Sequence, residues 1–112
     1  MVLNEAIKQG GVPAGYGEIV VEFFQFKNGG DHIEGRLVNK SQTSIKGNKV
    51  GRYTIIVPGG KRVAFLGGVH LDELMSNIGV GSDVWIQYTH SEKLSETGNE
   101  MKKFKLFIKM PQ

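Results

Sequence analysis

Residues 69–88 read VHLDELMSNIGVGSDVWIQY, and within them the hydrophobic period changes from that of a helix to that of a strand. Leu71, Leu74, Met75 and Ile78 fall at i, i+3, i+4 and i+7, one apolar stripe on a helix expected over 69–78. Asp72 and Glu73 sit early, where the helix dipole favours anions. Gly79 follows as a C′ residue. Beyond Gly81, Val84, Ile86 and Tyr88 alternate with Trp85, Gln87 and Thr89, the pattern of a half-buried strand over 83–93. No other stretch of the chain reads as a convincing helix.

Strands are expected on both sides of it. Residues 18–27, EIVVEFFQFK, are rich in Ile, Val and Phe. Asn28-Gly29-Gly30-Asp31 is a turn signal, and 32–40 reads as the next strand, where Gly35 suggests a bulge or sharp bend. Residues 41–47 read as a polar loop, 48–57 as a strand, Pro58-Gly59-Gly60 as a tight turn and 61–67 as a strand. Closing that hairpin with Val57 opposite Arg62 puts Tyr53, Ile55, Val57, Arg62, Ala64 and Leu66 on one face. Arg52, Thr54, Ile56, Val63 and Phe65 then share the other, and either face can be the core. Residues 94–100 form a polar loop. In the last strand, 102–110, Phe104, Leu106 and Ile108 oppose Lys103, Lys105, Phe107 and Lys109. Residues 1–17, with four glycines, read as a loose arm carrying a short helix near 3–8.

The chain has 112 residues, the length of one domain, and its 39% hydrophobic and 22% charged composition is that of a globular protein. No apolar run approaches the roughly 20 residues of a membrane helix, and residues 1–11 lack the apolar segment of a signal peptide. Cysteine is absent, which excludes disulfides, zinc–thiolate sites and cysteine nucleophiles. The protein is therefore expected in the cytoplasm. The net charge is only +3, but it is segregated. Residues 35–71 carry seven basic residues and no acid, and residues 101–112 carry four lysines and no acid. The two remaining segments are net acidic. Cations gathered in this way are the footprint of a polyanion, most commonly nucleic acid; a solvated lysine face without a partner is the plainer reading.

From residue 31 the order is strand, strand, strand, helix, strand, strand. This resembles the OB-fold, a five-stranded Greek-key barrel that binds oligonucleotides and oligosaccharides. Local words add to it. Gly30-Asp31-His32-Ile33-Glu34-Gly35 resembles the "GD-x-I-x-G" opening of bacteriophage single-stranded-DNA-binding proteins. Val50-Gly51-Arg52-Tyr53-Thr54-Ile55 resembles their second strand. Gly79-Val80-Gly81-Ser82-Asp83-Val84-Trp85-Ile86-Gln87-Tyr88 resembles their "G-x-G-x-x-V-x-I-x-Y" fourth strand. Lys102-Lys103-Phe104-Lys105-Leu106 resembles their "K-x-F-x-V" closing strand. The likeness covers about residues 30–109.

The resemblance implies an all-β fold with one short helix: an OB-fold barrel over 18–112, with an extra strand at 18–27 that extends the sheet or builds a subunit interface. It implies barrel order 1-2-3-5-4, so the closing strand lies beside the third and the two basic stretches merge into one stripe. Single-strand binding needs cations along the phosphates and aromatic faces for the bases. The candidate cations are Lys46, Lys49, Arg52, Lys61, Arg62, Lys93, Lys102, Lys103 and Lys105. The candidate platforms are Tyr53, Phe65, Trp85 and Phe107. Trp85 and Phe107 lie off the apolar faces of their strands and are expected to point outward. Tyr53 and Phe65 lie on opposite faces of the expected hairpin, so at most one serves as a platform. Stacking is sequence-tolerant, and little base specificity is expected.

Catalytic chemistry finds no support. Gly59-Gly60-Lys61-Arg62 lacks the upstream glycine and the Ser or Thr of a phosphate-binding loop. His32, His70 and His90 are scattered, and no nucleophile–base set is present. The expected function is non-specific coating of single-stranded DNA in phage-type replication or recombination, by a homo-oligomer, without a cofactor, a metal or a membrane. Replication and recombination proteins are candidate partners. The acidic tail by which bacterial single-strand-binding proteins recruit partners has no counterpart in the Lys109-Met110-Pro111-Gln112 ending. Two rivals stand beside this reading: an OB-type assembly module making protein contacts, and an RNA-binding OB domain.

Overall fold

A computed structural model describes residues 14–17, 20–94 and 98–109. The expected helix near 3–8 and most of the N-terminal arm lie outside the described residues. The elements are β1 (Val21–Phe24), β2 (His32–Ile45), β3 (Asn48–Ile56), β4 (Arg62–Leu66), α1 (Val69–Met75), β5 (Asp83–Lys93) and β6 (Glu100–Ile108). They form one six-stranded sheet in the order β1-β4-β3-β2-β5-β6. Every neighbouring pair is antiparallel except β1 and β4, which run parallel.

The sheet does not close into the expected barrel, because β6 does not pair with β4. The free edge of β4 is taken by β1, with Val21 opposite Arg62 and Phe24 opposite Phe65. The chain after β1 then fills the gap. The Phe26 ring stands edge-on to Phe65 of β4 at 5.9 Å and to Phe104 of β6 at 5.1 Å. Lys102 Nζ of β6 donates to the Phe26 carbonyl at 2.9 Å. The backbone groups of β4 are thus satisfied without β6. The extra strand extends the sheet, and the two basic stretches do not merge into one stripe.

β2 is longer than expected. It runs through the anticipated 41–47 loop to Ile45 and turns back at Lys46 and Gly47, whose φ angles are 50° and 81°. Two successive positive-φ residues make the tight hairpin turn whose twist matches the flanking strands. Ser41, Gln42, Thr43 and Ser44 carry no apolar alternation; their backbone pairing with Arg52, Gly51, Val50 and Lys49 holds them in the strand.

The N-terminal end of β2 pairs with β5 and the remainder with β3; Arg36 alone has partners on both, Asp83 and Ile56. The change of partner explains Gly35. A Cβ there would run into the Ile56 carbonyl oxygen. The accompanying register shift falls at Val38, between Leu37 and Asn39.

The β3–β4 hairpin closes one residue away from the expected register. Ile56, rather than Val57, lies opposite Arg62, and Tyr53 lies opposite Phe65. A one-residue slip exchanges the faces of a strand. Tyr53, Ile55, Val63 and Phe65 consequently share the core face, against Leu37, Ile86, Leu71 and Met75.

Helix α1 ends at Met75, short of Ile78, and continues in a tightened turn whose N–H groups reach back three residues, Asn77 to Leu74 and Ile78 to Met75. Its C-terminal carbonyls are capped from β2: Lys40 Nζ donates to Met75 O at 2.9 Å and to Ile78 O at 2.8 Å. Asp72 ties the helix to β3. Its Oδ1 accepts from the Tyr53 hydroxyl at 2.6 Å and its Oδ2 from the Gly51 N–H at 3.1 Å.

Candidate functional site

The strand registers define a patch on the outer face of β2, β5 and β6. Cross-strand partners share a face. Glu34, Trp85 and Phe107 form its central row. His32, Gln87 and Lys105 form the row on one side. On the other side Arg36 is opposite Asp83, and the Lys109 N–H donates to the Asp83 carbonyl at 2.9 Å. The core face of the same strands carries Ile33 and Leu37, Val84, Ile86 and Tyr88, and Phe104 and Leu106. Period-two alternation puts the polar and aromatic set outside.

Trp85 is the centre of the patch. The His32 ring stacks on it, with centroids 5.1 Å apart and planes 24° from parallel. Phe107 meets it at 5.6 Å and 62°. Trp85 is half-buried between them, while Phe107 is 54% exposed. Beside these rings runs a groove of about 670 Å³ that reaches Pro58 in the β3–β4 turn and Lys109 after β6.

The charges of the patch are uneven. Arg36 Nε donates to Asp83 Oδ1 at 3.1 Å and its Nη2 to Oδ2 at 3.4 Å. This hydrogen-bonded pair holds the Asp83 carboxyl below its usual range and raises Arg36. Lys103 and Lys105, on one face of β6, and Lys109 just beyond the strand make no ion pair among the described residues.

Of the residues singled out in the sequence, Trp85, Phe107, Lys103 and Lys105 meet in this patch. Trp85 and Phe107 point outward as expected. The other residues lie elsewhere. Lys46 and Lys49 are exposed at the turn end of the β2–β3 ribbon, and Arg52 is exposed further along it. Lys61 pairs with Glu22 at 2.8 Å, and half-buried Arg62 begins β4. Lys93 ends β5. Lys102 points to the core side, with Nζ 5.4 Å from the Tyr88 ring centre and bonded to Phe26.

Tyr53 and Phe65 are corrections. Phe65 is completely buried and Tyr53 nearly so, their rings 5.5 Å apart in the core, so neither is a platform. Burial, with Asp72 beside it, pushes the Tyr53 hydroxyl above the usual tyrosine range.

The sequence reading missed His32, Glu34 and Arg36. Their alternation along β2 signals a shared face, but only the β2–β5 register shows that the face is that of Trp85. His70 Nδ1 accepts from the Phe104 N–H at 3.0 Å, and His90 bonds Glu92 at 3.0 Å. Among the described residues no three His, Cys, Asp or Glu side chains gather as a metal site, and no helix is long and apolar enough to cross a membrane. Comparison of the chain with family models, curated proteins and solved structures finds no match.

Proposed function

We propose that this chain binds single-stranded DNA on the outer face of β2, β5 and β6. The observation that carries the reading is the half-open ring cluster of Trp85, His32 and Phe107, with Lys103 and Lys105 on the same face of the edge strand β6 and Lys109 just after it. Exposed aromatic faces take bases by stacking without reading their sequence, and unpaired lysines take phosphates. Lys103 and Lys105 stand about 6.8 Å apart along β6, near the step of an extended single strand, and Lys109 follows four residues after Lys105.

The fold supports an OB-type origin for this surface. Four of the five neighbour relations of an OB barrel recur in the order β4-β3-β2-β5-β6, and α1 lies between the third and fourth of these strands in sequence. The missing fifth relation is the gap filled by β1 and Phe26. The role proposed is that of a coat for single-stranded DNA in replication or recombination. A second reading, assembly through protein contacts, has one observation in its favour: β1 ends the sheet and exposes Val21 and Phe23 by 46% and 51%.

Trp85 is the only tryptophan, so its fluorescence reports on one place. Titration with dT oligonucleotides at several salt concentrations, against duplex DNA, tests the proposal. Quenching by dT with a steep salt dependence and weak duplex binding is expected. No binding at low salt overturns it and leaves the assembly reading in front.

A further inference from the structure

We propose that Glu34 biases this surface toward bases whose pairing edge carries an amino group. The inference rests on the single-strand reading above and names the kind of base that the site prefers.

Across the central row the charge changes sign. The unpaired lysines lie on β6, and phosphates are held there. Two strands away, beyond the Phe107 and Trp85 rings, stands Glu34, directly opposite Trp85. Neighbouring strands are about 4.8 Å apart, so β6 and β2 are separated by about 10 Å. That span is comparable with the reach from a phosphate across its sugar to the pairing edge of the base. A nucleotide whose phosphate sits on β6 and whose ring stacks on Phe107 or Trp85 therefore brings its pairing edge to Glu34.

Glu34 is free to receive it. The other carboxylate of the patch, Asp83, is neutralised by Arg36. Glu34 is exposed and has no hydrogen bond or ion pair among the described residues. It also lines the groove beside Trp85. A carboxylate accepts hydrogen bonds and donates none. It complements the amino group of cytosine, as acidic side chains do when they read that base. Thymine flanks its single pairing-edge N–H with two carbonyl oxygens, which the carboxylate repels. The same charge turns phosphates away from β2, so it sets the strand's orientation as well as its base preference.

The test is fluorescence anisotropy with labelled dC and dT oligonucleotides of equal length at pH 8, on the wild-type chain and on Glu34→Gln. Wild type is expected to hold dC about three- to tenfold more tightly than dT. Glu34→Gln is expected to bring the ratio close to one while keeping or improving dT affinity, since it removes a negative charge. Equal wild-type affinities overturn the inference, and so does a dC preference that persists in Glu34→Gln, in each case with the single-strand reading intact. Failure of wild type to bind either oligonucleotide at low salt overturns that reading itself.

Discussion

The Tyr53 hydroxyl donates to Asp72 Oδ1 at 2.6 Å, and this bond locks β3 to the helix behind it. The lock is crowded. A Cβ on Gly51 or on Gly67 would strike the Asp72 carboxylate, so both glycines are needed for its close approach. Burial first, and Asp72 second, raise the Tyr53 hydroxyl above the usual tyrosine value near 10. A raised acid binds its proton more tightly in the folded chain than in the unfolded one. Its contribution is therefore complete below about pH 10 and is lost as pH climbs above that. Urea unfolding should show stability falling from about pH 10 upward. In Tyr53→Phe that alkaline fall is expected to shrink, and the neutral-pH stability to drop by about 1–3 kcal/mol through the lost charge-assisted bond.

Phe107 offers the cleanest test of stacking. It is more than half exposed, whereas Trp85 is wedged between His32 and Phe107 and contributes to packing as well. Phe107→Ala is expected to weaken dT binding by about 1–3 kcal/mol, with the unfolding midpoint nearly unchanged. Trp85→Ala is expected to lower both. Anisotropy titrations and urea curves on the two variants separate these effects, and an unchanged affinity in Phe107→Ala removes that ring from the site.

Local pattern made much of this legible and long-range pairing did not. The strand over 83–93 is found at the bounds its alternation implies, and Trp85 and Phe107 lie on the outward faces that period two assigns them. The β3–β4 hairpin closes one residue from the expected register, because Pro58-Gly59-Gly60 marks a turn without fixing its register; the slip puts Phe65 on the same face as Tyr53. The OB resemblance carried the expectation that β6 closes on β4. Nothing in residues 18–27 signals that their strand takes the β4 edge instead, since edge competition is settled by which backbone groups reach each other. The place of Glu34 and His32 beside Trp85 was hidden for the same reason.

Lys102 and Lys105 of β6 should behave differently because residues three apart on a strand face opposite sides. Lys105 is exposed on the outer face, while Lys102 Nζ is engaged with the Phe26 carbonyl beside Tyr88. If Lys105 neutralises a phosphate, Lys105→Ala lowers the magnitude of the log-affinity slope against log salt by about 0.7, the single-strand value for one contact. Lys102→Ala is expected to leave that slope alone and to lower stability, because it opens the seam between Phe26 and β6. Titrations at four or five salt concentrations, paired with urea unfolding, distinguish the two.

Gly35 is where β2 leaves β5 and joins β3, and it sits between Glu34 and Arg36 of the patch. A methyl group there meets the Ile56 carbonyl, with its carbon at 2.8 Å, and Val57 Cα at 3.1 Å. These are backbone atoms and cannot swing aside, so the crossing must widen. Gly35→Ala is expected to cost about 1–3 kcal/mol by overpacking and to displace Glu34 relative to Trp85, weakening dT binding beyond what the stability loss alone explains. Gly79→Ala is the control: nothing lies within 4 Å of a Cβ there, and its backbone is not in the left-handed region. It should stay within about 0.5 kcal/mol of wild type. Urea midpoints for the two variants, with dT affinity measured where both remain folded, decide whether the strand crossing sets the geometry of the site.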